Sequence, residues 1–191
     1  MGIPLFQIWH LLDRHQIYVY SSNCTLYGDM SCRVMETLAQ FTPRLEVYSI
    51  DEAFLDLSGF THLNLSDYGQ RIRQTVKQWT GIPVSVGIAS TKTLAKLAND
   101  LAKQEGSGVC DLTRVNLDDV LGAIAIDDIW GIGRNYARSL KSHGIETALQ
   151  LRDANLDWIG QQHSIVMVRL VRELRGLSCL PLELVPPAKR A

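Results

Sequence analysis

The chain has 191 residues, 46% hydrophobic and 20% charged, with a formal net charge of −1; that suffices for one good core or two small domains of ordinary globular composition. Charged or polar residues interrupt every apolar run well before the ~20 residues a membrane-crossing helix needs, and the first fifteen residues show neither a basic leader nor a small-residue cleavage site, so neither a span nor a secretory signal is expected. The near-neutral charge argues against a surface that grips nucleic acid all over, but leaves room for local basic faces.

In chain order, a short apolar helical segment around Leu5 to Leu12 leads into an extended run from Ile17 to Tyr20. From Asp29 to Gln40, Met30, Val34, Met35 and Leu38 fall at helical spacing, and Pro43 stops that element. Residues 45–50 and 53–57 read as two short strands rich in β-formers, joined at Asp51-Glu52. Asp67 to Trp79 is an amphipathic helix, residues 84–88 a third strand, and Thr91 to Lys103 a helix with Leu94, Leu97, Ala98 and Leu101 inward. This order predicts an α+β layer with an antiparallel sheet, helices on one face. After about Leu112 only helices follow: one through Leu117, Val120, Leu121 and Ile124, one from Tyr136 to His143, a short one after Thr147, and one from Ile165 to Arg175. Residues 181–191, with three prolines, read as a linker. The spacing shows no internal repeat. Cys24, Cys32, Cys110 and Cys179 are scattered without a Cys-x-x-Cys pair, so reduced thiols in a cytoplasmic protein are expected and zinc is not.

Three segments carry chemistry. In Ser49-Ile-Asp-Glu-Ala-Phe-Leu-Asp-Leu57, adjacent acids interrupt a β-rich stretch where carboxylates are poor strand residues. Alternation along a strand would send Asp51 and Glu52 to opposite faces; a turn relaxes this and can bring both to one point. Such a pair suits a hard cation such as Mg²⁺, and two ions ~4 Å apart can clamp the oxygens of a phosphoryl transfer. Asp56 is a candidate third acid. The competing reading is an ordinary solvent-exposed turn. The second segment is Val84 to Lys103, where Lys92, Lys96, Asn99 and Lys103 recur at +4, +3 and +4 and form one stripe opposite the leucines. Like charges on one face repel mildly, so the stripe suits a bound anion, though a solvated lysine face has the same pattern. The third is Trp130-Gly-Ile-Gly-Arg134 between two helices, the pattern of a helix–hairpin–helix. Gly131 and Gly133 permit close backbone approach, and the amides opening the next helix, with Arg134 and Arg138, would meet a phosphate. Any tight helix connection can use Gly-x-Gly as well. Arg169, Arg172 and Arg175 read as a solvated edge.

Taken together and in this order, the three segments resemble Y-family (translesion) DNA polymerases, and the similarity runs from Asn23 to Gly176. The Asp51-Glu52 segment is similar to that family's second catalytic motif. The resemblance implies a partial palm over 23–112, an all-helical thumb over 113–180 that grips duplex across the minor groove, a remnant of fingers in 1–22, and a linker in 181–191. It implies error-prone, template-directed nucleotidyl transfer past damaged DNA of the SOS-repair type. Asp51 and Glu52 would be catalytic ligands of Mg²⁺, Lys103 would reach the incoming triphosphate, and Gly131, Gly133 and Arg134 would contact DNA. Lys92 and Lys96 are further candidate phosphate contacts. Expected partners are primer–template DNA and a deoxynucleoside triphosphate, with UmuD-like accessory subunits, RecA or a sliding clamp as further candidates, in the bacterial cytoplasm and with no membrane.

The chain also departs from the family pattern. An opening strand of the type Asp-x-Asn-x-Phe-Tyr-Ala, which supplies a third metal ligand and the residue that excludes ribonucleotides, has no counterpart. The resemblance also leads one to expect that most of the fingers and the C-terminal little finger are missing. A chain truncated at both ends, with an incomplete two-ion site and little or no activity alone, is therefore expected. The alternative is a non-enzymatic DNA-binding or polymerase-regulating module that uses the hairpin.

Overall fold

The computed structural model describes residues 3–184; the expected linker beyond residue 184 lies outside them. The N-terminal stretch forms a 3₁₀ turn, Leu5–Gln7, and a short helix α1, Trp9–Arg14. Residues 17–22 form no regular element and pair with no strand, so the expected extended run joins no sheet. The apolar side chains Phe6, Trp9, Tyr18 and Tyr20 of this stretch are exposed.

Helix α2, Cys24–Leu38, begins five residues before the expected start because Asn23 caps it: the Asn23 side chain accepts from the Leu26 N–H at 3.0 Å, satisfying an otherwise orphaned donor. Strands β1, Leu45–Val47, and β2, Ala53–Leu55, pair antiparallel as expected, with Glu46 opposite Phe54 and Val47 opposite Ala53. Helix α3, Leu65–Thr80, is capped by Asn64 and ends on Gly81 in the left-handed conformation. Val34, Met35, Leu38, Phe41, Ile72 and Val76 make a buried cluster between α2 and α3, and Leu45, Ala53 and Leu55 pack against it.

Strand β3, Val86–Ile88, is followed by helix α4, Lys92–Gln104, and strand β4, Val109–Asp111. β3 and β4 pair parallel, which requires a crossover, and α4 is that crossover. So the strands of the described residues form one antiparallel pair and one parallel pair, each of two strands. The β4 strand escaped the sequence reading because three residues between Gly108 and Leu112 give no periodicity to detect. Gly87 explains how tightly α4 lies on β3: a Cβ there would sit 2.2 Å from Asn99 N and 2.3 Å from Ala95 O.

The helices α5, Leu117–Ala123, α6, Arg134–Ser142, α7, Ala148–Asp153, α8, Leu156–Gln162, and α9, Ile165–Leu174, complete the described chain. Helix α8 was not foreseen; Asn155 caps it with bonds from the N–H groups of Asp157 and Trp158. Leu94, Leu97 and Ala98 of α4 belong to the same buried cluster as Leu121, Ile126, Leu140, Leu151, Ile159 and Leu174. Helix α4 therefore backs one sheet pair and also shares its core with the helical region. Arg175 is exposed, as expected of an edge position, and its guanidinium also donates to the carbonyls of Arg152 and Ala154, each at 2.7 Å, closing the end of α7. No helix among the described residues is long and apolar enough to cross a membrane.

Candidate functional site

The bend between β1 and β2 is built by backbone bonds: the N–H groups of Tyr48 and Ser49 both donate to the Glu52 carbonyl, at 3.0 and 3.1 Å. Pleating then sorts the side chains. Leu45, Ala53 and Leu55 point to the α2–α3 core, while Glu46, Tyr48, Glu52 and Phe54 share the opposite face. That face meets the basic stripe of α4. The Lys92 ammonium pairs with Glu46, both side chains being nearly buried, and lies 5.0 Å from the Phe54 ring centroid. The Lys96 ammonium pairs with Glu52 at 2.5 Å and lies 5.8 Å from the ring of Tyr48 and 6.0 Å from that of Trp130. Asp51, exposed at the bend, accepts from the Ser49 hydroxyl at 2.7 Å.

Trp130 brings the hairpin into the same cluster. Its ring packs edge-on against Tyr48, with centroids 5.7 Å apart, and is tilted against Phe54 at 6.2 Å. Gly131 has φ +92°, a conformation that glycine adopts without strain, and a Cβ there would be 3.2 Å from Leu170. Gly133 opens α6 with no side-chain cap, so the first amides of that helix have no side-chain partner among the described residues. Arg134 and Arg138 are exposed on the same helix.

Lys103 is at the far end of the α4 stripe, seven residues and about 10 Å along the axis from Lys96. It is half exposed and only 3.4 Å from Asp100. Asp56 does not join the bend. It sits at the open end of the β1–β2 pair, where the Ser58 hydroxyl and N–H and then the Arg44 guanidinium hold its carboxyl below the usual carboxylate range. Among the described residues no three acids, histidines or cysteines gather into a metal cluster. The two carboxylates of the bend nonetheless offer hard oxygens of the kind Mg²⁺ takes when water and phosphate complete its shell. A concavity of about 610 Å³ lined by His143, Leu149, Gln150, Asp153, Asn155 and Trp158 contains none of these residues, and its lining mixes polar and apolar side chains. The open surface around the bend is the better candidate.

Comparison with known proteins gives the family and the fold. Residues 1–100 match the model of the impB/mucB/samB family. The chain belongs to that family. It is 46% identical over 195 residues to Protein UmuC of Salmonella typhimurium strain LT2, covering 99% of this chain and 46% of that protein. It is 44% identical over 196 residues to Protein ImpB of Salmonella typhimurium, covering the whole chain and again 46% of the relative. The chain thus spans about half the length of these relatives. Among solved structures it is similar to an insertion ternary complex of Dbh DNA polymerase, with a TM-score of 0.78 and 27% identity over 95% of this chain and 53% of that one. The fold is that of Y-family DNA polymerases.

The sequence reading did not foresee Glu46, nor the ion pairs that occupy Lys92 and Lys96. A signal was present: Glu46 shares strand parity with Tyr48, Glu52 and Phe54, so an acid mid-strand on that face needed a cation, and the lysine stripe was the available source.

Proposed function

We propose that this chain is the catalytic-carboxylate and DNA-gripping portion of an error-prone lesion-bypass DNA polymerase. On this reading residues 23–112 act as palm, 113–180 as thumb, 1–22 as part of the fingers and 181–191 as a linker. Asp51 and Glu52 would hold Mg²⁺, which supplies charge stabilisation for nucleotidyl transfer. Lys103 would meet the triphosphate of the incoming nucleotide. The amides beyond Gly131 and Gly133, with Arg134, would hold the phosphate backbone of primer–template DNA without reading its sequence. The observation that carries this reading is the meeting of bend, basic helix and hairpin in one cluster through Tyr48, Lys96 and Trp130.

Anisotropy of a labelled primer–template duplex, with Mn²⁺ binding followed by electron paramagnetic resonance, tests the assignment. Gly133→Val is informative because φ there is an ordinary −80° and nothing lies within 4 Å of the added Cβ. Any loss of DNA affinity then arises on the ligand side. Gly133→Val and Arg134→Ala should each weaken duplex binding roughly tenfold, about 1.4 kcal/mol. Asp51→Asn should abolish Mn²⁺ binding and leave duplex binding in place. Unchanged affinities would overturn the corresponding assignment.

With two carboxylates at the bend and no group of three ligand-type side chains gathered among the described residues, the chain alone should extend a primer little or not at all with Mg²⁺ or Mn²⁺. Robust incorporation abolished by Asp51→Asn would refute that expectation. The engagement of Glu52 by Lys96 favours a second reading, a non-catalytic DNA-binding or polymerase-regulating module. Duplex binding without any Mn²⁺ binding would select it.

A further inference from the structure

We propose that Lys96 is a resident counter-ion of Glu52, which a divalent cation displaces when it binds at the β1–β2 bend. The inference rests on the reading of Asp51 and Glu52 as metal ligands and concerns what holds Glu52 before the metal arrives. The Lys96 ammonium is 2.5 Å from Glu52 Oε1, with the two side chains 16% and 29% exposed. At that depth water screens the pair only in part, so the ammonium supplies much of the compensation a half-buried carboxylate needs. A cation bound to the same carboxylate would face a like charge at close range, and both cannot keep full contact with Glu52.

The structure also offers the displaced ammonium a place to stay. Lys96 already lies over the faces of Tyr48 and Trp130 at 5.8 and 6.0 Å, distances at which a ring quadrupole attracts a cation. Release from Glu52 therefore leaves the charge against two aromatic faces. Lys92 is unsuited to this role: Glu46 and the Pro181 carbonyl, at 2.9 Å, both hold it in a more enclosed position. Because Trp130 belongs to the hairpin, movement of Lys96 also alters the environment of an indole next to the proposed DNA contacts.

Isothermal titration of Mn²⁺ into the full chain and into Lys96→Met, Lys96→Arg and Asp51→Asn variants tests the proposal. Methionine keeps the apolar stem but removes the competing charge. Lys96→Met should bind Mn²⁺ at least roughly tenfold more tightly, equivalent to about 1.4 kcal/mol, while Lys96→Arg should stay near the unmodified chain. Mg²⁺ titration of the unmodified chain should change tryptophan emission, and that change should vanish in Trp130→Phe; this readout does not depend on the folding of Lys96→Met. Equal or weaker Mn²⁺ binding by Lys96→Met, or emission that ignores Mg²⁺ while Mn²⁺ binds, overturns the proposal. In that case loss of binding in Asp51→Asn would still uphold the metal-ligand reading. Absence of Mn²⁺ binding in both the unmodified chain and Lys96→Met overturns both.

Discussion

Glu173 is fully buried in α9, and its carboxylate reaches outside its own helix. One oxygen accepts from the Thr93 N–H at 3.1 Å, in the first turn of α4; the other accepts from the N–H groups of Cys179 and Leu180 at 2.6 and 3.2 Å. Replacing it by methionine, of similar length, leaves all three donors without that acceptor. The buried Thr93 amide should contribute about 2 kcal/mol of loss, and the two half-buried tail amides about 0.5 kcal/mol each because water can reach them. The opposing effect is relief from burying a carboxylate, which the positive end of the α4 dipole already offsets in part. The net expectation is therefore below the roughly 3 kcal/mol sum of these losses, about 2 kcal/mol of destabilisation, or roughly 4–8 °C in melting temperature for a chain of this size. Thermal unfolding followed by circular dichroism measures it, and hydrogen exchange at Cys179 and Leu180 should accelerate in the same variant. A melting temperature within about 2 °C of the unmodified chain, or above it, would show that carboxylate desolvation dominates and that the reasoning is wrong.

Gly87→Ala should cost about 3 kcal/mol or more, because the new Cβ meets backbone atoms of α4 and not a movable side chain; a change under about 1 kcal/mol in urea unfolding would contradict this. His163 gives a pH signature. Burial and then the neighbouring His143 charge lower its pKa below 6.5, so the fold favours the neutral ring while the unfolded chain takes up a proton at its ordinary value. The contribution is complete above pH 6.5, diminishes as pH falls below it, and levels off beneath the folded value. Melting temperatures should therefore drop between pH 7.5 and 5, and His163→Gln should flatten part of that drop; an unaltered profile would remove His163 as its source.

Most of the long elements were legible because each satisfies period and punctuation together. Helix α3 has an apolar stripe, an Asn64 cap and a Gly81 stop, so its position was available from local residues alone. Strand β4 and helix α8 were not, since three residues carry no periodicity and Leu156, Trp158 and Ile159 resemble a continuation of the preceding loop. The three motifs identified the family because each is a local string. The partners inside the site were hidden because they depend on distance in sequence: Glu46 to Lys92 spans 46 residues, Glu52 to Lys96 spans 44, and Glu173 to Thr93 spans 80. A lysine stripe looks the same whether it faces solvent, a phosphate or two strand carboxylates. Only the register of β1 against α4 separates these readings.

That register also bears on how, under the proposed function, a chain of net charge −1 would hold DNA. Lys92 and Lys96 are engaged by Glu46 and Glu52 inside the molecule, so the stripe that looks most basic in sequence offers little free charge at its first two positions. Lys103, half exposed and only loosely near Asp100, keeps most of its charge available, and on the hairpin side Arg134 and Arg138 do the same. On the proposed reading, a DNA contact with few free cations at these positions would rely on backbone amides, which the start of α6 could supply. Amide contacts hold a phosphate without adding fixed positive charge to the chain. On that reading a near-neutral total is compatible with a hairpin grip made through amides. Helix α4, with its N-terminus tied to Glu173 and its lysines tied to the bend, serves as the rigid bar against which both the carboxylates and the hairpin are set.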